Sequence, residues 1–290
     1  MDLSDLETFV AVAECRSFSR AAERLHLTQP AVSKRIQALE ARLDTVLLDR
    51  IGKRVELTHG GRLLLPRARS LLDGMADTRR LLKNLNDRVT GALRVATSHH
   101  IGLHRLAPVL KTFNQRYGDV RLDIRFEDSE AAHDLVRRGE SELAVVTLDP
   151  AGCTGLTALP LWKDPLVFLT ARDHPLARRG ALSLPELAEH PAILPGPATY
   201  TGRIIAERFA ERGIVLRSQL ATNYLETIRM LTGIGLGWSV LPASMITAAL
   251  REIPTDTAPM GRMLGCVCHP DRTRSNAAQA FLDVLEEFAD

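Results

Sequence analysis

Gln29, Pro30, Ser33, Lys34 and Gln37 crowd into a short stretch that contains no carboxylate. At about 100° per residue, Pro30, Ser33, Lys34 and Gln37 fall on one side of a helix whose other side is Val32, Ile36, Leu39 and Leu43, with Gln29 and Arg35 at the flanks. A face of amide and hydroxyl donors around one cation suits a partner rich in acceptors and negative charge. Amides and hydroxyls can bond base edges, and cations can hold phosphates. Lys53 and Arg54 place two more adjacent cations at a turn shortly beyond. A second set of polar residues lies further on. "VATSHHIG" carries Thr97, Ser98, His99 and His100, Thr147 closes "LAVVT", "LPGPATYTGR" carries Thr199, Tyr200 and Thr201, and "ATNYLET" carries Asn223 and Tyr224. Hydroxyls and imidazoles of this kind suit a small carboxylate ligand. Ser and Thr ahead of a helix serve equally as plain N-caps, so both readings stand for these positions.

Other chemistries find less support. His99, His100 and His104 raise the question of a metal, but adjacent histidines diverge and no carboxylate or cysteine accompanies them in the sequence, so no metal site is expected. Cys15, Cys153, Cys266 and Cys268 follow no zinc spacing, and the last two would point to opposite faces of a strand. Reduced, structural cysteines are the expectation. No phosphate-binding glycine loop, nucleophile elbow or usable pair of carboxylates is present, which argues against an enzyme and against a cofactor. "GIGLGW" leads into a strand rather than out of one, and is a tight helix-to-strand turn.

These residues need elements to hold them. The chain has 290 residues, 45% hydrophobic and 25% charged, enough for two or three globular units. The first 90 residues hold sixteen Lys/Arg against twelve Asp/Glu, and the rest 21 against 23. That is a mild lean toward a polyanion at the N-terminal end. "SDLE" at Ser4–Glu7 has capping-box spacing, and Leu6, Phe9, Val10 and Ala13 follow with helical period. A second short helix is predicted from about Ser19 to Leu25. A third follows with Thr28 as N-cap and Pro30 in its first turn, giving a helix, a tight turn and a second helix with an exposed donor face. The alternation in Val55, Glu56 and Leu57 after Gly52 predicts a hairpin, with Lys53 and Arg54 at the tip of a basic wing. Leu64, Ala68, Leu71, Met75, Thr78, Leu82, Leu85 and Val89 are then spaced alternately four and three apart. Such a heptad seam pairs with another helix. From Gly91 strand and helix alternate, predicting a parallel sheet with helices on its faces, and ligands in such folds sit beyond the carboxyl ends of the strands.

"FSRAAERLHLTQPAVSKRIQALEARL", "LLDR", "RVELTHGG" and "LLPRA", ordered and ungapped over about 65 residues, resemble the N-terminal half of a LysR-type transcriptional regulator. The resemblance implies base contacts by Gln29, Pro30, Ser33 and Lys34 and a wing supplied by Lys53 and Arg54. Many members have Arg where this chain has Lys34, and a lysine is a point charge rather than a planar fork for guanine. It further implies an α/β effector domain, two-lobed and periplasmic-binding-protein-like, preceded by an all-α winged helix-turn-helix domain and a long linker helix. The expected bounds are 1–58 for the DNA-binding domain, 59–90 for the linker and 91–290 for the effector domain. Lobe 1 would take about 91–161 and 266–290, and lobe 2 about 162–265. By the same resemblance the linker seam, through Leu64, Ala68, Leu71, Met75, Leu82 and Leu85, forms a homodimer that binds double-stranded DNA at two related half-sites. Contacts between effector domains build a homotetramer, RNA polymerase is a further candidate partner, and a small anionic co-inducer sits between the lobes. Acidic Asp2, Asp5 and Glu7 near the start, and the lack of any apolar run near about 18 residues, lead to the expectation of a cytoplasmic protein without membrane contact. The alternative is a small-molecule-binding or catalytic α/β protein whose N-terminal helices serve assembly only. Assembly would not require Gln29, Ser33, Lys34, Lys53 and Arg54 to converge on one surface.

Overall fold

A computed structural model describes residues 2–51, 54–85 and 88–290, leaving aside the side chains of Arg50, Ile51, Arg54 and Lys83. The chain divides into two compact units, residues 1–85 and 86–290.

The first unit contains α1 (Leu3–Cys15), α2 (Phe18–Arg24), α3 (Gln29–Leu43), a hairpin of β1 (Leu48–Ile51) and β2 (Arg54–Leu57), and α4 (His59–Asn84). The first helix starts two residues earlier than the Ser4–Glu7 box implies. Asp2 and Asp5 form the reciprocal box instead, with the Asp5 N–H donating to Asp2 Oδ1 at 2.9 Å and the Asp2 N–H to Asp5 Oδ2 at 3.3 Å. Ser17 caps α2 and Thr28 caps α3, with Pro30 in the first turn. Phe9, Val12, Ala21, Val32, Ile36 and Leu39 pack together as one core. Glu40 ties the hairpin to α3 by accepting the N–H groups of Leu47 and Leu48 at 2.8 and 3.2 Å.

The predicted seam divides along α4. Leu64 and Ala68 pack into the unit's own core, and Ala68 is 0% exposed, so Ala68 is lost to any second chain. The reason is that the first half of α4 lies against α1. Leu71, Leu82 and Leu85 remain exposed at 52%, 62% and 76%. The helix ends at Asn84, so Leu85 lies just past it, and Val89 packs on the core of the second unit.

The second unit runs β3 (Gly91–Thr97), α5 (His99–His104), α6 (Leu106–Arg116), β4 (Val120–Phe126), α7 (Ser129–Arg137), β5 (Leu143–Thr147), β6 (Thr157–Ala171), α8 (Leu184–Ala188), β7 (Ile193–Leu194), α9 (Tyr200–Ala210), β8 (Leu220–Ala221), α10 (Leu225–Gly233), β9 (Ser239–Pro242), β10 (Leu250–Glu252), β11 (Met260–Cys268) and α11 (Asn276–Glu286). Two helices, α5 and α6, follow β3 and are separated at Arg105. One sheet runs β10-β6-β11-β5-β3-β4, with β9 also on β6, and β7 and β8 form a separate pair. Its β3, β4 and β5 are parallel as predicted, but β6, β9, β10 and β11 join antiparallel. Parallel neighbours need a crossover helix, whereas β6 and β11 are long strands that pass between the lobes and pair directly.

Each lobe has its own core. Leu93, Val95, Phe113, Trp162, Phe281 and Leu285 meet in lobe 1, and Phe168, Leu184, Phe209, Trp238 and Val240 in lobe 2. Where β11 crosses β6 its register shifts between Leu264 and Gly265, and a Cβ at Gly265 would lie 2.3 Å from the Leu159 carbonyl oxygen. Only glycine allows the two backbones so close. "GIGLGW" is the expected turn: α10 ends at Gly233, Gly235 takes φ +86°, and β9 begins at Ser239.

Candidate functional site

In the first unit, the α3 N-terminus presents Gln29, Pro30, Lys34 and Gln37 exposed, with Ser33 half-buried beside them. Gln29 Nε2 donates to Ser33 Oγ at 2.9 Å, so the two side chains form one polar group on successive turns. Arg35 leans toward α1, its Nη1 3.5 Å from Thr8 Oγ1. Gly52 and Lys53, and the side chain of Arg54, lie outside the described residues, so the predicted wing tip is not described here.

In the second unit a cleft is lined by residues from both lobes. Nine of the ten positions singled out in the sequence line it: Ser98, His99, His100, Thr147, Thr199, Tyr200, Thr201, Asn223 and Tyr224. Thr97 does not. Its hydroxyl donates to the Val145 carbonyl at 2.7 Å inside the sheet and the residue is 0% exposed, because strand alternation turns it inward.

The two readings left open for the hydroxyls separate here. Thr199 is a committed cap: Oγ1 accepts the Gly202 N–H at 3.0 Å and donates to the Gly196 carbonyl at 2.7 Å. Ser98 occupies the N-cap position of α5 yet makes no capping bond, which leaves its hydroxyl available to a ligand. The N-terminus of α9 is already engaged, since Glu130 of lobe 1 accepts the Tyr200 N–H. Asn223 bridges the lobes as well, donating to Asp128 Oδ2 at 2.6 Å. His99 stacks on Phe126 at 5.2 Å and meets the edge of Tyr224 at 5.1 Å. The Tyr200 hydroxyl sits 3.1 Å from His133 Nδ1, and burial pushes it up to about 12.

Arg262, on β11, is a lining residue that the sequence does not single out. Its Nε donates to Asp164 Oδ2 at 2.8 Å and its Nη1 to Thr201 Oγ1 at 2.8 Å, while buried Nη2 has no hydrogen-bond partner among the described residues. Burial pulls its pKa down, against the opposing pull of Asp164. The signal was present as a single charge in the apolar strand "MGRMLGCVC", since an arginine is rarely buried without a specific partner. Asp128, Ser129 and Glu130 also line the cleft and were missed. The cleft is therefore mixed in charge, with a guanidinium beside two carboxylates. It is narrow, with about 50 Å³ of free volume.

At one edge, the expectation that no carboxylate accompanies the histidines is overturned. Glu226, at the start of α10, places Oε1 2.6 Å from His104 Nε2. His100, one turn earlier on α5, has its ring 4.8 Å from that of His104. It is 5% exposed, and its Nδ1 has no hydrogen-bond partner among the described residues. Burial, with Arg262, His104 and Arg105 adding to it, lowers the His100 pKa to about 3.

Comparison with known proteins agrees with this architecture. A family model described as "LysR substrate binding domain" matches residues 86–290, and one described as "Bacterial regulatory helix-turn-helix protein, lysR family" matches residues 3–62. The RuBisCO operon transcriptional regulator of Allochromatium vinosum is 30% identical over 296 residues, covering 100% of this chain and 97% of that protein. An uncharacterized HTH-type transcriptional regulator in the ibpB-leuC intergenic region of Azotobacter vinelandii is 64% identical over 108 residues, or 37% of this chain and 75% of that one. Full-length CbnR, in a crystal structure with its target DNA, shares the fold with a TM-score of 0.62 at 22% identity, covering 100% of both chains.

Proposed function

The chain belongs to the LysR family of bacterial transcriptional regulators, and on that premise we propose that it binds operator DNA through α3 and answers to a small carboxylate bound in the cleft of its second unit. Its relatives are regulators, not enzymes, so the catalytic alternative falls away. Gln29, Ser33 and Lys34 contact base edges in the major groove, Pro30 and Gln37 extend that face, and Arg35 with the wing cations Lys53 and Arg54 meets phosphates. Homodimers form through α4 and hold two such heads on two related half-sites. Effector-unit contacts extend the dimer to a tetramer, and RNA polymerase is the further partner at the promoter. The compartment is the cytoplasm, and among the described residues no helix is long and apolar enough to cross a membrane.

The observation that carries the ligand reading is that Nη2 of buried Arg262 has no partner among the described residues, in the same cleft as the Ser98 hydroxyl, which makes no capping bond. A charge-assisted hydrogen bond to such a donor contributes about 1.5–3 kcal/mol. Because Glu130 already holds the α9 N-terminus, the ligand carboxylate goes to Arg262, Ser98 and Thr201 rather than to that helix end. With about 50 Å³ free, the lobes must part to admit an organic acid. The ligand then shifts the balance between two lobe arrangements by its differential affinity for them.

The test has two arms. In a gel shift with DNA from the gene's own upstream region, Gln29→Ala or Ser33→Ala should weaken specific binding by about 1–3 kcal/mol and leave non-specific binding nearly unchanged. Lys53→Ala should weaken both and flatten the salt dependence. In a calorimetric screen of organic acids, Ser98→Ala should abolish the heat of any hit without changing the melting temperature. Uniform losses on every DNA would overturn the first assignment, and an unaltered hit the second.

A further inference from the structure

We propose that His100, His104 and Glu226 form a binding site for a divalent transition-metal ion of the Zn²⁺ class that links the two lobes of residues 86–290. One ligand atom from each of the three lies within 4.8 Å of the others. The two histidines are four apart on α5 and so share a face, and Glu226 comes from α10 on the other lobe. His104 Nε2 and Glu226 Oε1 are already 2.6 Å apart. Bonds of about 2.0–2.1 Å to a tetrahedral ion set ligand atoms roughly 3.3 Å apart, so an ion would replace the His104–Glu226 hydrogen bond, with those two atoms opening slightly and His100 drawing closer.

The buried histidine adds an independent observation. His100 is 5% exposed, and its Nδ1 finds no hydrogen-bond partner among the described residues. Such an orphaned nitrogen is disfavoured by about 1–3 kcal/mol unless something bonds to it. Two imidazoles and one carboxylate suit Zn²⁺ and its neighbours rather than Ca²⁺ or Mg²⁺, and leave a fourth position open. Arg229 holds the other Glu226 oxygen at 2.5 Å and so orients the carboxylate. The site does not depend on any organic ligand. A metal seated there ties α5 to α10 and favours the closed arrangement of the lobes.

The experiment is a Zn²⁺ titration of the full-length protein against a chromophoric chelator, repeated with Co²⁺, whose visible absorption reports the ligand geometry. The wild type should take up one ion per chain with micromolar affinity, and the Co²⁺ spectrum should be that of a tetrahedral N/O site. His104→Ala and Glu226→Gln, both at accessible positions, should each weaken binding by roughly tenfold or more. Cys268→Ser combined with His269→Ala should leave it unchanged. Three outcomes would overturn the proposal: no uptake at submillimolar Zn²⁺, which would leave His104 and Glu226 as an ion pair only; equal binding by both site variants; or loss of binding in the Cys268/His269 variant alone.

Discussion

Arg262 and Asp164 are 5% and 2% exposed at their side chains and 2.8 Å apart, on the two strands that cross between the lobes. Removing one partner of such a pair strands a charge without solvent. Arg262→Ala should therefore destabilise the second unit by about 3–5 kcal/mol in urea unfolding. Arg262→Met with Asp164→Asn should recover most of that stability while leaving ligand binding abolished. Recovery of both would move the ligand off the guanidinium. His133 supplies a second prediction. It is 0% exposed, its Nε2 has no hydrogen-bond partner among the described residues, and burial together with the Arg137 charge lowers its pKa to about 4. The unfolded chain takes up this proton near pH 6.5, and the folded chain only near pH 4. Stability from this group is whole above about pH 6.5 and is lost as pH falls toward 4, with a slope approaching about 1.4 kcal/mol per unit. His133→Gln should flatten that slope in unfolding measured across the window, and an unchanged slope would refute the assignment. At this scale the sequence is informative where a residue type sits at a strand end, as with Ser98, Thr147 and Asn223. It is silent where function depends on a partner far along the chain: Arg262 needs Asp164, and His104 needs Glu226, 122 positions away.

Among the elements, α4 asks most of one helix. Its first half is consumed by the core it shares with α1, and its second half presents Leu71 and Leu82 uncovered. Leu71→Asp with Leu82→Asp should split the dimer in sedimentation and collapse operator affinity, because a charge buried against a partner helix has no compensation. Ala68→Leu should do something different, overpacking the unit's own core by about 1–3 kcal/mol while the dimer persists. If Ala68→Leu dissociated the dimer, the division of the seam would be wrong. Heptad spacing marked an apolar stripe but not what covers each part of it, since spacing is blind to whether the neighbour is α1 or another chain; Leu64 and Ala68 meet the unit's own core, while Leu71 and Leu82 are exposed. The helix-turn-helix was legible for the opposite reason: Thr28 and Pro30 mark the start of its second helix locally. The mixed sheet was not, because β6 and β11 pair directly between distant segments and leave no periodic sign of strand direction.

Across the second unit, the lobes share β6 and β11 and so share their fate. Residues 86–290 should melt in a single calorimetric transition with equal calorimetric and van't Hoff enthalpies. Two resolved transitions would show that the crossing strands do not couple the cores. The order in which that unit is made has a further consequence. Lobe 1 closes Leu93, Val95 and Phe113 over Phe281 and Leu285, and Trp162 Nε1 donates to the Phe288 carbonyl at 2.5 Å. On the ribosome, everything from β6 to β10 must be synthesised between the two halves of that core, a delay on the order of ten seconds. Throughout it β5 waits for β11 with one edge unpaired and an apolar face uncovered, a ready template for another nascent strand. Polysomes crowded with this message thus set a hazard of entanglement that the finished protein never faces, and chaperone occupancy on the nascent chain should rise after Thr147 and fall only once α11 has emerged.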